Sequence, residues 1–314
     1  MLKSIRVLFL TVLPLTLVSC IDIEGFNFGN SQRFKEDFHS SYPLQPGGRI
    51  SLENMNGSVE ISGWEKDTVD IVGTKYANSE SVLKDMKIDV VASPGSVIIR
   101  TLTPPGPRGS FGAKYILRVP KKTVLDRITS SNGSIHVESI DGSAKLKTSN
   151  GSVRIAKLNG PLDVQTSNAS VEVNDQTGDT TVQTSNGSIR AEDIRGSFEA
   201  TTSNASIHAS QIDPEPHKLL RLETSNGKVE LTLDHPKDND LRIKTSNASI
   251  LLRLPAGAGG QLRARTSNSS ISTDFDVTVK SGQMSKSHME GTIGSGGPLL
   301  ELITSNGSIK IQKI

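Results

Sequence analysis

From residue 43 onward the chain alternates apolar and polar residues in short runs that stop at small or turn-forming residues. In Leu162-Asp163-Val164-Gln165-Thr166 every second side chain is suited to one face, the period of a half-buried strand. Ile135-His136-Val137 and Lys145-Leu146-Lys147 alternate in the same way. Asn-Gly pairs and Asp141-Gly142 interrupt the runs where the chain must turn. The pattern predicts many short strands joined by tight turns, with one short helix over Ser79 to Met86.

The runs recur at a fixed interval. Asn132, Asn150, Asn168, Asn186 and Asn204 are spaced by 18 residues in the contexts SSNGSI, TSNGSV, TSNASV, TSNGSI and TSNASI. The mark continues at Asn226, Asn247, Asn268 and Asn306, with spacings of 22, 21, 21 and 38. Eighteen residues are too few for a helix pair or a propeller blade and enough for two or three short strands with turns. The fold predicted is all-β, a parallel β-helix-like solenoid with 18–22 residues per coil. The 38-residue gap reads as one degenerate coil followed by a last coil at 299–314.

Parity assigns the inward side chains. Leu162, Val164, Thr166 and Asn168 share a face; so do Leu222, Thr224 and Asn226, and Leu300, Leu302, Thr304 and Asn306. After the turn the inward set resumes with Val153 and Ile155, Ile189 and Ala191, and Ile250 and Leu252. Stacked coils would bury columns of aliphatics, of Thr and of Asn. An amide offers both donor and acceptor, so the Asn column is predicted to satisfy buried turn backbone and to form a ladder from coil to coil. The Asn-Gly-Ser and Asn-Ala-Ser sequons are read as this turn chemistry. The Thr column is read as core, which disfavours ice binding.

The opposite edge carries insertions. Extra residues enter at Asp213-Pro214-Glu215-Pro216-His217, at Asp234-His235-Pro236-Lys237-Asp238 and at Pro255-Ala256-Gly257-Ala258-Gly259. Insertions on one edge of a solenoid either mark a working face or reflect the tolerance of surface loops. Asp213, Glu215, His217, Asp234, His235, Lys237 and Asp238 are the candidate binding residues.

The start of the chain is of another kind. Residues 1–20 read MLKSIRVLFLTVLPLTLVSC, with Lys3 and Arg6 ahead of an apolar run from Val7 to Val18. This is the layout of a secretory signal, and the run is short for a membrane span of about 20 residues. Leu17-Val18-Ser19-Cys20 resembles a bacterial lipobox, which implies cleavage before Cys20 and lipidation of its thiol. An ordinary signal peptide that happens to contain a cysteine is the alternative. Segments 1–19, 20–42, 43–120 and 121–314 are then signal peptide, lipidated Cys with tether, N-terminal capping coils and repetitive solenoid. The protein is expected to be exported and membrane-anchored in the bacterial envelope, at the outer membrane if the host is Gram-negative, where Ile21 in place of Asp fits that sorting.

Composition narrows the function. Cys20 is the one cysteine, so no internal disulfide is possible, and a formal net charge of +2 with 4% aromatic residues argues against a nucleic-acid partner. The six histidines, His39, His136, His208, His217, His235 and His288, show no metal-ligand spacing. No nucleophile elbow, P-loop, dinucleotide fingerprint or zinc-protease motif is present. No catalytic residue, metal or cofactor is expected.

The run Gly47-Gly48-Arg49-Ile50-Ser51-Leu52-Glu53-Asn54-Met55-Asn56-Gly57-Ser58-Val59-Glu60-Ile61, then Gly63-Trp64 and the SNGSI copies, resembles the bacterial putative-adhesin family. The resemblance spans residues 43–314 and implies a β-solenoid at the cell envelope, with no catalytic residues to carry over. The expectation is a non-enzymatic envelope lipoprotein that meets the membrane through its lipid and a glycan or protein ligand through its solenoid. The alternatives are a structural or envelope-stress component, and a carbohydrate-active β-helix enzyme with carboxylates assembled across coils.

Overall fold

The computed structural model describes residues 34–103, 106, 110–279 and 284–314. The segments expected to be signal peptide, lipidated Cys20 and, up to residue 33, tether lie outside the described residues. Two sheets, of thirteen and fourteen strands, make up almost everything else.

One coil shows how the repeat builds them. Leu162–Gln165 lies in the larger sheet, the chain turns through Ser167-Asn168-Ala169, and Val171–Thr177 lies in the smaller sheet. A second turn at Gly178 leads to Thr180–Gln183, which pairs in parallel with Leu162–Gln165. The register is Leu162↔Thr180 in one sheet and Val171↔Ile189 in the other, an offset of one 18-residue repeat. Each coil is therefore two-sided, with aliphatics from both strands packed between the sheets. One core cluster runs from Leu44 and Ile50 to Ile309 and Ile311. Removing these columns from water is the main stabilising term.

The Thr column is buried as parity predicts: Thr148, Thr202, Thr245 and Thr304 are at most 2% exposed. The Asn column is not. All nine predicted ladder asparagines are exposed, because the strand ends at Gln165 and the alternation stops where the chain begins to turn, past Thr166. Thr satisfies the buried turn backbone in their place, except at Thr166, whose buried hydroxyl has no partner among the described residues. Thr184 Oγ1 donates to the Ala169 carbonyl at 3.2 Å and accepts from the Gly187 N–H at 3.2 Å. Thr224 does the same with Ala205 and Gly227.

The second strand of each regular coil contains a kink. Ser139, Lys157, Asp175, Asp193 and Gln211 stack at one repeat position, all with φ between 52° and 60°. The ladder pairs Ala156↔Asn174 and Leu158↔Gln176 and skips the residue between. This resets parity, so that Val153 and Ile155 point inward and Leu158 does so three residues later. Gln176 and Thr180 occupy core positions held by Leu158 and Leu162 on one side and by Ile194 and Phe198 on the other. Both are fully buried.

The coils do not stack in chain order. The strand Leu299–Ile303 lies between Leu241–Lys244 and Gly260–Arg265, and Ile309–Lys313 lies between Ile250–Leu254 and Ile271–Thr273. The last coil is thus inserted ahead of the coil that precedes it in sequence. The described residues of the segment read as a degenerate coil form antiparallel strands and no coil. His288–Ile293 runs antiparallel to Gly260–Arg265, with Val277–Thr278 antiparallel beyond it, and they close the end of the larger sheet.

The other end is interleaved too. Gly48–Glu53 and Val59–Trp64 sit second in the stack, beneath Ser96–Leu102 and Phe111–Pro120. Antiparallel strands close both sheets there: Lys87–Ser93 on one, Thr68–Ala77 and Phe34–Pro43 on the other. Residues 34–42, assigned to the tether from sequence, belong to that outermost strand. Its exposed outer positions carry Lys35, Glu36 and Asp37, and charge on an edge strand opposes edge-to-edge pairing. The helix is Glu80–Asp85, with Leu83 packed on Phe111 and Met86. Gly63 is required because a Cβ there would overlap the Ser139 carbonyl. Trp64 beside it donates from Nε1 to the Thr68 carbonyl at 2.8 Å.

Candidate functional site

The solenoid presents two corner edges and two outer faces. At the first edge the asparagines form a ladder. Asn150 Nδ2 donates to Asn132 Oδ1 at 2.6 Å, Asn168 to Asn150 at 2.7 Å and Asn186 to Asn168 at 2.7 Å. Asn204, Asn226 and Asn247 continue it, then Asn306 donates to Asn247 and Asn268 to Asn306. Asn132 donates to Asn56 at the other end. The ladder is a solvent-facing clasp along the corner, with each amide tied to the next.

The outer faces are largely self-neutralised across neighbouring coils. Arg154 meets Glu172 at 3.1 Å, His208 meets Glu230 at 3.0 Å and Arg242 meets Glu301 at 3.4 Å. The Arg154 guanidinium holds the Glu172 carboxyl below its usual range, and Lys228, then His208, do the same for Glu230. His39 and His136 also sit beside carboxylates, Asp70 at 2.6 Å and Glu138 at 3.8 Å. Among the described residues no group of three or more His, Cys, Asp or Glu is arranged to hold a metal.

The second edge gathers the insertions. The loops leading into the strands Leu220–Glu223, Leu241–Lys244, Leu299–Ile303 and Gly260–Arg265 follow one another in stack order. Between the last three lies an open groove of about 410 Å³. Asp234, His235, Pro236 and Asp238 form one wall, and Pro255 with Gly257 to Gly259 another; Ser295, Gly296 and Pro298 complete it. Asp238 holds a left-handed backbone, φ 47°, unusual outside glycine though tolerated by Asp.

Of the seven candidate residues, Asp234, His235 and Asp238 line the groove. Lys237 instead reaches Asp213 at 2.6 Å and ties the first two loops together. Glu215 and His217 are exposed on the neighbouring loop and are not part of the groove lining. The residue that sequence reasoning missed is Asn239, 3% exposed. Its Nδ2 donates to the carbonyls of Glu215 at 2.6 Å and Lys218 at 2.9 Å, while its Oδ1 accepts from the Lys237 N–H at 2.9 Å. Asp240 fixes the third loop by accepting from the Leu299 N–H at 2.9 Å. At the start of this edge Asp179 accepts from Ser197 and Lys218, and these bonds, in that order, hold its carboxyl below the usual range. Nothing but the presence of an amide and a carboxylate next to Asp238 pointed to these clamps.

These features define a two-sheet β-solenoid with self-paired faces, one ladder edge and one loop-bearing edge. The chain belongs to the Toastrack DUF4097 family, whose profile matches residues 48–312. Among solved structures it is similar to a chain described as a "putative cell adhesion protein" from Clostridium sporogenes, at 10% identity and a TM-score of 0.23, over 89% of this chain and 100% of that one. No curated protein matches.

Proposed function

We propose that this protein is a non-catalytic, lipid-anchored component of the bacterial envelope that binds a glycan or protein surface through the loop-bearing edge of its solenoid. The observation that carries the reading is the convergence of the inserted loops. Loops 213–217 and 234–238 are tied to each other by Asn239 and the Lys237–Asp213 pair, Asp240 ties the second of them to the start of strand Leu299–Ile303, and insertion 255–259 lines the same groove. Loops that merely tolerated insertion would have no need of a buried amide bonded to two neighbours. The paired charges of the sheet faces contrast with this edge, whose groove is lined largely by loop residues.

The lipobox at Leu17 to Cys20 supplies the anchor in this reading. Two or more acyl chains hold a protein at a bilayer where one does not. Replacing Cys20 with Ser is expected to release the protein from membranes, and retention of the variant counts against the anchor.

The binding claim is tested with the full-length protein, purified in detergent, on an array of host glycans, matrix proteins and bacterial wall polymers. Selective binding that disappears when loops 213–217 and 234–238 are shortened supports it. Binding unchanged by the shortening refutes the assignment of the edge, and no binding to any class favours the structural envelope role.

A further inference from the structure

An Asn-Gly pair is the dipeptide most prone to lose its side-chain amide, because glycine has no Cβ to shield its own backbone nitrogen. That nitrogen bonds to the asparagine Cγ, the Cγ–Nδ2 bond breaks, and ammonia leaves carrying the glycine amide proton. Water then opens the succinimide to aspartate or isoaspartate. The chain contains seven such pairs, six of them at asparagine corners and one at Asn159-Gly160.

The pairs differ in what holds the glycine N–H. Gly151, Gly187, Gly227 and Gly307 are buried, and each donates to the Thr three residues earlier at 3.2–3.3 Å. Gly160 donates to the Thr177 carbonyl at 2.7 Å. A nitrogen that must give up its proton to attack is restrained by such a bond. Gly133 lacks the bond but is buried.

Gly57 has neither protection. It is half-buried, and its N–H has no hydrogen-bond partner among the described residues. The position held by Thr at other corners is Asn54 here. Its Nδ2 donates to the Ala113 carbonyl at 2.8 Å, and its Oδ1 accepts from Thr101 at 3.0 Å. The labile pair is nonetheless fixed in place. A Cβ on Gly57 would overlap the Ala113 carbonyl, and Asn56 begins the ladder, donating to the Phe111 carbonyl at 2.8 Å.

We propose that Asn56 is the deamidation site of the folded protein, and that the buried Thr hydroxyls keep Asn150, Asn186, Asn226 and Asn306 amidated. Aspartate at position 56 has no N–H to donate, so the Phe111 carbonyl loses its partner and faces a carboxylate. This chemistry is independent of the binding role.

Full-length protein held in mildly alkaline buffer, then digested and read by mass spectrometry for amide-to-acid conversion, tests it. Asn56 is expected to convert at least about tenfold faster than Asn150, Asn186, Asn226 or Asn306, the factor that one hydrogen bond supplies. In urea, with the fold removed, the rates are expected to converge. Thr184→Val removes one restraint and is expected to raise conversion at Asn186 alone, by about tenfold. An equal or faster rate at any other pair in the folded protein overturns the proposal, and so does a lead at Asn56 that persists in urea. Unchanged conversion at Asn186 in Thr184→Val overturns it too, as does a rise shared by every pair, which global opening would give.

Discussion

The Asn306 side-chain amide donates to Asn247 Oδ1 at 2.8 Å across a separation of 59 residues, while Asn268, nearer in sequence, lies one rung further on. The corner that looks like a simple tandem array is therefore closed by a chain that doubles back. The buried Thr beneath each rung and the exposed Asn upon it divide the labour of the turn between them.

That division sets the order of two substitutions. Thr184→Val leaves the Gly187 N–H and the Ala169 carbonyl without their hydroxyl partner at a buried site, at a cost of about 1–3 kcal/mol. Asn186→Leu breaks two exposed rungs, where water replaces the lost bonds, at a cost of about 1 kcal/mol or less. Urea unfolding of both variants checks the ranking. A larger loss for Asn186→Leu would mean that the ladder, and not the Thr column, holds the corner.

The left-handed kink gives a stabilising change. Lys157 holds φ 53° with an exposed side chain, a conformation that costs an L-residue with a Cβ about 1–2 kcal/mol. Lys157→Gly removes that strain against a smaller entropic penalty, so stability is expected to rise by about 0.5–1 kcal/mol. Lys157→Val, β-branched at the same φ, is expected to lower it. Denaturant midpoints of the pair decide the matter, since equal midpoints would mean the kink is unstrained.

Acid should loosen the solenoid before alkali does. Glu172, Asp179 and Glu230 are all held below their usual range by Arg154, by Ser197 with Lys218, and by Lys228 with His208. A carboxylate with a lowered folded-state value takes up protons more readily when unfolded, so its contribution is present near neutrality. It is lost as pH falls from about 4 through the folded value. Melting temperature is expected to decline over that interval, and less steeply in the Glu172→Gln, Glu230→Gln variant. Identical acid profiles for variant and wild type would contradict the assignment.

The strand period and the 18-residue spacing made the solenoid legible in the sequence, down to the burial of Thr166 and the inward Val153 and Ile155. Parity failed two residues after Thr166, because alternation describes only extended chain and Asn168 already lies in the bend. The kink at Lys157 was hidden for a related reason: a left-handed Lys has no signature of its own. The position of the last coil was not legible, because its Thr-Ser-Asn corner repeats that of the other coils. At the loop edge the insertions marked two walls of the groove and the loop beside it. Ser295 to Pro298 escaped because the segment was read as part of a coil, and Asn239 escaped because nothing about one amide in a polar loop announces that it is buried.

The most direct test of the binding role is hydrogen exchange of the full-length protein with and without whichever array component binds best. Slowed exchange confined to 213–218, 234–240, 255–259 and 294–298 is the predicted result, since these loops share one edge. Slowed exchange on the sheet strands or along the asparagine corner, with the loops unaffected, would contradict the account.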